Sequence, residues 1–227
     1  MKITTVLFDF DGTIMNTNQV IINSWQHTFR FFEGKERPLE HILKTFGEPL
    51  DLTMKGFFPD IPIDESIEVY RSYHRDNFGK AITVFPGMRE LLERLIFYDF
   101  KLALITSRLR ETTWQGLEKY DLAQFFQTVV TCEDTEIHKP NPEPLFCALS
   151  RMSKKPSEAI MVGDTMNDIR CARNSGVISV LAGWSIAVGD NEKTGLEAPA
   201  YVINKAEDLL KLLGEINNSS YSFISIQ

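Results

Sequence analysis

A series of short apolar runs constrains this chain more than any other feature: Ile3 to Phe8, Leu102 to Thr106, Thr128 to Thr131, Ala159 to Val162, Ile178 to Leu181 and Tyr201 to Ile203. Each is continuous rather than alternating, ends in polar residues and precedes a helical pattern. A strand with one buried face alternates apolar and polar residues, whereas a strand covered on both faces is apolar throughout. The repetition therefore predicts an α/β fold, a parallel sheet with helices on both sides.

The intervening segments carry helical spacing. After Pro86-Gly87, residues Met88, Leu91, Leu92, Leu95 and Ile96 fall on one stripe. Asn141 is placed to cap a helix opening at Pro142, with Leu145, Phe146, Leu149 and Met152 as its buried face, and Gly176 to close a helix starting near Met166. From about Asn16 to Ile82 the rhythm changes to helical patterns without a buried strand. Val20, Ile21, Trp25, Thr28, Phe29 and Phe32 mark one amphipathic helix, and Ile67, Tyr70, His74 and Phe78 another, with Asp64 as its cap. The aromatic group Trp25, Phe29, Phe31 and Phe32 is expected to form that segment's core. The organisation expected is a core of residues 1–15 and 83–215, a helical insert of residues 16–82 entered through hinges at Asn16-Thr17 and Thr83 to Phe85, and a flexible tail of residues 216–227.

A net charge of −7 argues against nucleic acid or an anionic membrane as partner, because both reward clustered Lys and Arg. The N-terminal apolar run is broken by Asp9 and Asp11 far short of a membrane span, and Cys132, Cys147 and Cys171 have neither disulfide nor zinc spacing. A cytoplasmic protein with buried free thiols is expected. Oligomeric state has no signature in the sequence.

The polar ends of the runs carry the chemistry. On a parallel sheet ligands bind beyond the carboxyl ends of the strands. Asp9-Phe10-Asp11-Gly12-Thr13 places two carboxylates on one side of an extended backbone, and Gly12 allows a sharp turn that brings its amide close to an anion. Taken alone it reads equally well as an acidic turn. Thr106 and Ser107 offer a hydroxyl and backbone amides where a phosphate oxygen could sit, although a Thr-Ser pair is otherwise a plain loop entry. Lys139, in the stiff run His138-Lys139-Pro140-Asn141-Pro142, can neutralise phosphoryl charge and clustered carboxylates. Asp164 and Asp168, one helical turn apart, suit the hard oxygen coordination of Mg²⁺, or a helix N-terminus favouring acids. His27, His41, His74 and His138 form no ligand pattern and are expected to be packing or surface residues.

With these pieces in order, the chain resembles the haloacid dehalogenase superfamily from Ile3 to about Leu213: Asp9 to Thr13 looks like its first motif, Thr106 its second, Lys139 its third, and Gly163-Asp164 to Asp168 its fourth. The resemblance implies a Rossmann-like core with a type-one helical cap after the first motif, and Mg²⁺ as cofactor. It makes Asp9 the nucleophile and a metal ligand, and Asp11 the acid and base whose backbone carbonyl reaches the metal. Thr106 with the amides of Gly12 and Ser107 would hold the phosphoryl group, Lys139 would bridge nucleophile and phosphate, and Asp164 and Asp168 would serve the metal, the latter directly or through water. Asp11 disfavours dehalogenation, which needs no acid there; neither Lys44 nor Lys55 is marked as desolvated for Schiff-base phosphonate cleavage.

The stretches Thr17 to Ser24, Phe46-Gly47-Glu48-Pro49-Leu50 and His138 to Leu145 are similar to the bacterial inorganic pyrophosphatase branch near the phosphoglycolate phosphatases, departing from it at Asn16, where relatives often carry Asp. The substrate expected is a small phosphorylated molecule, pyrophosphate ahead of phosphoglycolate or another monoester, with Gly47, Glu48, Pro49 and Leu50 as the covering loop. A phosphomutase and a non-catalytic phospholigand-binding protein are the alternatives.

Overall fold

The computed structural model describes residues 2–189, 192–219 and 221. Its main sheet has six parallel strands in the order β5-β4-β1-β6-β7-β8. These are β1 (Thr5–Phe8), β4 (Lys101–Ile105), β5 (Thr128–Val130), β6 (Ala159–Gly163), β7 (Ile178–Ala182) and β8 (Tyr201–Ile203). They are the apolar runs, with ends moved by a residue or two. Alternate side chains divide between the faces, which is why the runs had to be apolar throughout: Val6, Phe8, Leu102, Leu104, Ile160 and Val162 enter one core, and Leu7, Ala103, Ile105, Ala159 and Met161 the other.

The helices of this half are α5 (Met88–Phe97), α6 (Arg110–Lys119), α7 (Glu143–Arg151), α8 (Met166–Ser175) and α9 (Asp208–Asn217). Gly176 closes α8 in the left-handed region at φ 73°. Two expected core residues face outward, Ile96 and Phe146, because buried faces narrower than the apolar stripes are completed by Arg94 in α5 and Ala148 in α7. Helix α7 begins at Glu143 rather than Pro142, and the Asn141 side chain still accepts the Glu143 N–H at 3.0 Å.

Between β1 and α5 lie β2 (Met15–Asn16), α1 (Asn18–Glu33), α2 (Leu39–Leu43), α3 (Leu50–Phe57), α4 (Ile63–Ala81) and β3 (Thr83–Val84). Helix α4 opens at Ile63 behind Pro62, so Asp64 is a first-turn residue and not the cap. The two crossings expected as hinges pair with each other: β2 and β3 form an antiparallel ribbon with Asn16 opposite Thr83. Trp25, Phe29, Ile42, Met54, Phe58 and Tyr70 build a separate core for this segment, whereas Phe31 is 61% exposed. Phe29→Ala is expected to cost about 3–5 kcal/mol in urea unfolding through lost burial and the cavity left behind.

Of the expected tail, residues 216 and 217 belong to α9. Asn217 exchanges two hydrogen bonds with the backbone of Ile3, at 2.7 and 2.8 Å, and Tyr221 packs on Tyr98 and Phe100. Within that expectation, Ser220 and 222–227 lie outside the described residues. All three cysteines are free, but only Cys171 is buried; Cys132 and Cys147 are partly exposed. Among the described residues no helix is long and apolar enough to cross a membrane.

Candidate active site

The chain leaves β1 for β4 and β5 on one side, and later builds β6, β7 and β8 on the other, so the sheet order switches at β1. Such a switch point opens a crevice at the carboxyl ends of the strands. Register brings these ends level, Phe8 standing opposite both Leu104 and Val162. Asp9, Thr106 and Asp164 therefore leave the sheet side by side, although the sequence separates them widely. They line a cavity of about 460 Å³, which the helical segment completes with Trp25, Gly47, Tyr70 and His74 among others.

Lys139 enters from the loop ahead of α7, immediately before a cis peptide to Pro140. Its Nζ donates to Asp9 Oδ1 and Asp168 Oδ1, both at 2.6 Å, and to the Ile105 carbonyl at 3.2 Å, using the three donors of an ammonium. Burial alone would lower the Lys139 pKa, but Asp168 and Asp9 more than offset it and hold the amine protonated. Burial pushes Asp9 up to about 7, with Lys139 opposing and Asp168 and Asp11 adding to the rise. Asp164 is raised well above its ordinary value by burial, then by Asp9 and Asp168.

Carboxylate oxygens of Asp9, Asp164 and Asp168 lie within 4.8 Å of one another. Three buried carboxylates face one buried ammonium, a deficit of two positive charges, and the donors are hard oxygens. Both features fit a divalent cation such as Mg²⁺. The three acids are not equivalent. Asp168 Oδ2 accepts from the Thr165 amide and hydroxyl at 3.0 and 2.8 Å while Oδ1 takes Lys139, so much of its lone-pair capacity is already committed. Gly163 makes room for it, since a Cβ there would stand 2.2 Å from Asp168 Cβ.

Gly12 does something other than the sequence suggests. Its amide donates to the Met15 carbonyl at 2.8 Å and is not offered to a ligand. What the glycine supplies is space at φ 74°: a Cβ would lie 2.0 Å from Asp164 Oδ2. Thr106 does face the cavity, its hydroxyl oxygen accepting the Arg108 amide at 3.2 Å, and the Ser107 amide has no acceptor among the described residues. The side chain of Asp11 stands apart from the acidic cluster, held by Arg108 at 3.0 Å through Nε and 2.7 Å through Nη2. Burial would raise its carboxyl pKa; the guanidinium overcomes this and keeps it below the ordinary value.

The family model described as haloacid dehalogenase-like hydrolase matches residues 6–182. The chain belongs to that family. Over 214 residues it is 36% identical to pyrophosphatase PpaX of Halalkalibacterium halodurans, covering 94% of this chain and 98% of the relative. It is likewise 36% identical to pyrophosphatase PpaX of Bacillus mycoides over 219 residues, 96% of this chain and all of that one. A haloacid dehalogenase-like hydrolase from Streptococcus pneumoniae has the same fold, with a TM-score of 0.82 at 23% identity, covering 92% of this chain and 98% of that one.

In this haloacid dehalogenase-like hydrolase several residues lining the cavity or supporting its lining escaped the sequence reading. Arg108 Nη1 donates to His74 Nε2 at 3.0 Å, and the His74 Nδ1 lies 3.2 Å from Ser24 Oγ, whose proton goes to the Val20 carbonyl at 2.6 Å. The serine can then only accept, so His74 carries its proton on Nδ1 and is neutral. Burial and the adjacent guanidinium agree, lowering its pKa to about 3. His74 is a buried packing residue, as expected, stacked on Tyr70 and against Phe78, and it also lines the cavity. Ser185 donates to Asp164 Oδ2 at 3.1 Å, and the Trp184 indole to the Gly12 carbonyl at 3.1 Å, both orienting the acidic turn from the loop after β7. Asn167 Nδ2 reaches the Gly47 carbonyl at 2.8 Å and seats the Gly47 to Leu50 loop against the start of α8. No residue spacing marks any of these contacts; they arise only when the elements pack.

Proposed function

We propose that this hydrolase uses Mg²⁺ and an aspartyl-phosphate to cleave inorganic pyrophosphate. The observation carrying the mechanism is Asp9 at the sheet switch point, fixed by a buried lysine and beside Asp164. Asp9 attacks phosphorus while the bond to the leaving phosphate breaks, and Asp11, ionised at rest by its pairing with Arg108, passes to the leaving oxygen a proton it takes up from solvent as substrate binds. Asp11 then removes a proton from the water that hydrolyses the acyl phosphate. Thr106 and the Ser107 amide hold the transferring phosphoryl oxygens, and Lys139 keeps Asp9 in the attacking rotamer. The ion, held by Asp9, Asp164 and the Asp11 backbone carbonyl with Asp168 assisting, would neutralise charge on the phosphoryl oxygens.

Residues 16–82 are assigned the part of a cap moving on the β2–β3 ribbon, with residues 1–15 and 83–215 as the catalytic core. Closure excludes bulk water from the site while Asp9 attacks phosphorus. Gly47 tests this: at φ 78° it sits where an added Cβ would come within 2.8 Å of Thr165. Gly47→Ala is expected to cost about 1–2 kcal/mol from the left-handed backbone alone, roughly a tenfold loss in kcat/KM, with unchanged circular dichroism.

Pyrophosphate in particular is supported by the likeness to the PpaX pyrophosphatases over nearly the whole chain. A second reading, a small organic phosphomonoester such as 2-phosphoglycolate, draws on the apolar side of the cavity, where Ile21, Trp25, Phe46, Leu50 and Tyr70 offer more hydrocarbon than pyrophosphate can use. Phosphate release from pyrophosphate, 2-phosphoglycolate and phenyl phosphate, with and without Mg²⁺, decides between them. A kcat/KM for pyrophosphate below that for 2-phosphoglycolate would overturn the first reading, and turnover unaffected by chelation would overturn the metal's part in both.

A further inference from the structure

Arg108 is more elaborately held than a partner for Asp11 needs to be. The edge of its guanidinium formed by Nε and Nη2 is given to the Asp11 carboxylate, and Nη1 donates to His74. Its plane lies over Phe78 of α4, 4.3 Å from the ring centroid, and its side chain is 8% exposed while still lining the cavity. Of the five N–H donors of a guanidinium, two have no acceptor among the described residues. The neutral His74, anchored through Ser24 to α1, accepts from Arg108 without competing for its charge. A fixed cation with spare donors thus sits between the helical segment and Asp11.

Under the mechanism proposed above, on which this step rests, Asp11 stands at the oxygen that leaves. Whatever is bonded to that oxygen lies on the Arg108 side of the cavity. We propose that Arg108 determines specificity by binding the departing half of the substrate, selecting phosphates whose leaving group is itself anionic. The departing half of pyrophosphate is a phosphate, and that of 2-phosphoglycolate carries a carboxylate; both match a guanidinium fork. A neutral leaving group such as phenol offers it no charge. Exposed Arg75, paired with Glu68, is a poorer candidate because solvent screens it.

The test compares wild type, Arg108→Lys and Arg108→Met, with Mg²⁺, on pyrophosphate, 2-phosphoglycolate and phenyl phosphate. Loss of support for Asp11 lowers all three rates, so the readout is the ratio of kcat/KM between the better anionic substrate and phenyl phosphate. That ratio is expected to fall about 100-fold in Arg108→Met and less in Arg108→Lys, as for loss of charge-assisted hydrogen bonds. Calorimetric titration supplies a readout without turnover: the advantage of methylenediphosphonate over methylphosphonate should shrink in the same order. Should Arg108→Met not fold, Arg108→Lys carries the test, since it keeps the charge and loses the fork. A preference and a binding advantage that survive in the variants would overturn the assignment and leave Arg108 as a support for Asp11. Wild type without preference for either anionic substrate would overturn it together with the proposed function. Preference for 2-phosphoglycolate alone, lost in Arg108→Met, would support Arg108 and overturn only the pyrophosphate reading.

Discussion

Asp9→Asn is expected to reduce Mg²⁺-dependent phosphate release by roughly 10⁴–10⁶-fold, the scale of losing a covalent nucleophile. The amide keeps the size of the side chain and can still face Lys139, but it cannot form an acyl phosphate. The fold should survive, because Lys139 retains Asp168 at 2.6 Å. The variant should also change how stability responds to pH. A buried carboxyl raised from 3.8 to about 7 binds more protons folded than unfolded between those values, so without metal it makes stability fall as pH rises through that window. Urea unfolding of the metal-free proteins between pH 4 and 7 should therefore show a flatter profile for Asp9→Asn than for wild type. Undiminished phosphate release by this variant would sink the mechanism, and an unchanged pH profile the account of its electrostatics.

Lys139→Met carries the second large effect, on stability and rate together. Lys139 is the buried ammonium between Asp9 and Asp168, with 6% of its side chain exposed. Removing one partner of a buried ion pair leaves the other charge without compensation, at a cost of about 3–5 kcal/mol. Methionine fills the volume of the stem but makes none of the three hydrogen bonds. Phosphate release should fall to background, and the urea midpoint should drop without a change in slope. Adding Asp168→Asn should recover part of the lost stability, since it removes one of the carboxylates left exposed to its neighbours' repulsion, but none of the activity. A single variant as stable as wild type would show that the carboxylates shed their charge some other way.

The sheet and the order of acidic residues along it were legible because their determinants are local. A strand buried on both faces is written as a continuous apolar run, and the polar residue ending it marks the strand's carboxyl end wherever the strand lies in the sheet. Helices with strong stripes were equally visible, to within a few outward-facing residues such as Ile96. Short α2 and α3 were not individually visible, since segments of this length show too few turns for periodicity to register.

The sequence by itself marked the candidate groups for chemistry: Asp9, Asp11, Thr106, Lys139, Asp164 and Asp168, each just past a strand, in the loop ahead of α7 or in the first turn of α8. Only the tertiary structure decided how they are partnered. Asp11 goes to Arg108 rather than to the acidic cluster, the Gly12 amide goes to Met15 while its missing Cβ makes way for Asp164, and His74, unremarkable among four histidines, becomes the support of that arginine. The reason is physical. Backbone conformation follows from neighbours along the chain, whereas a buried charge must find its counter-charge through space, and Arg108 and Asp11 are 97 residues apart until the register of β1 and β4 brings them together.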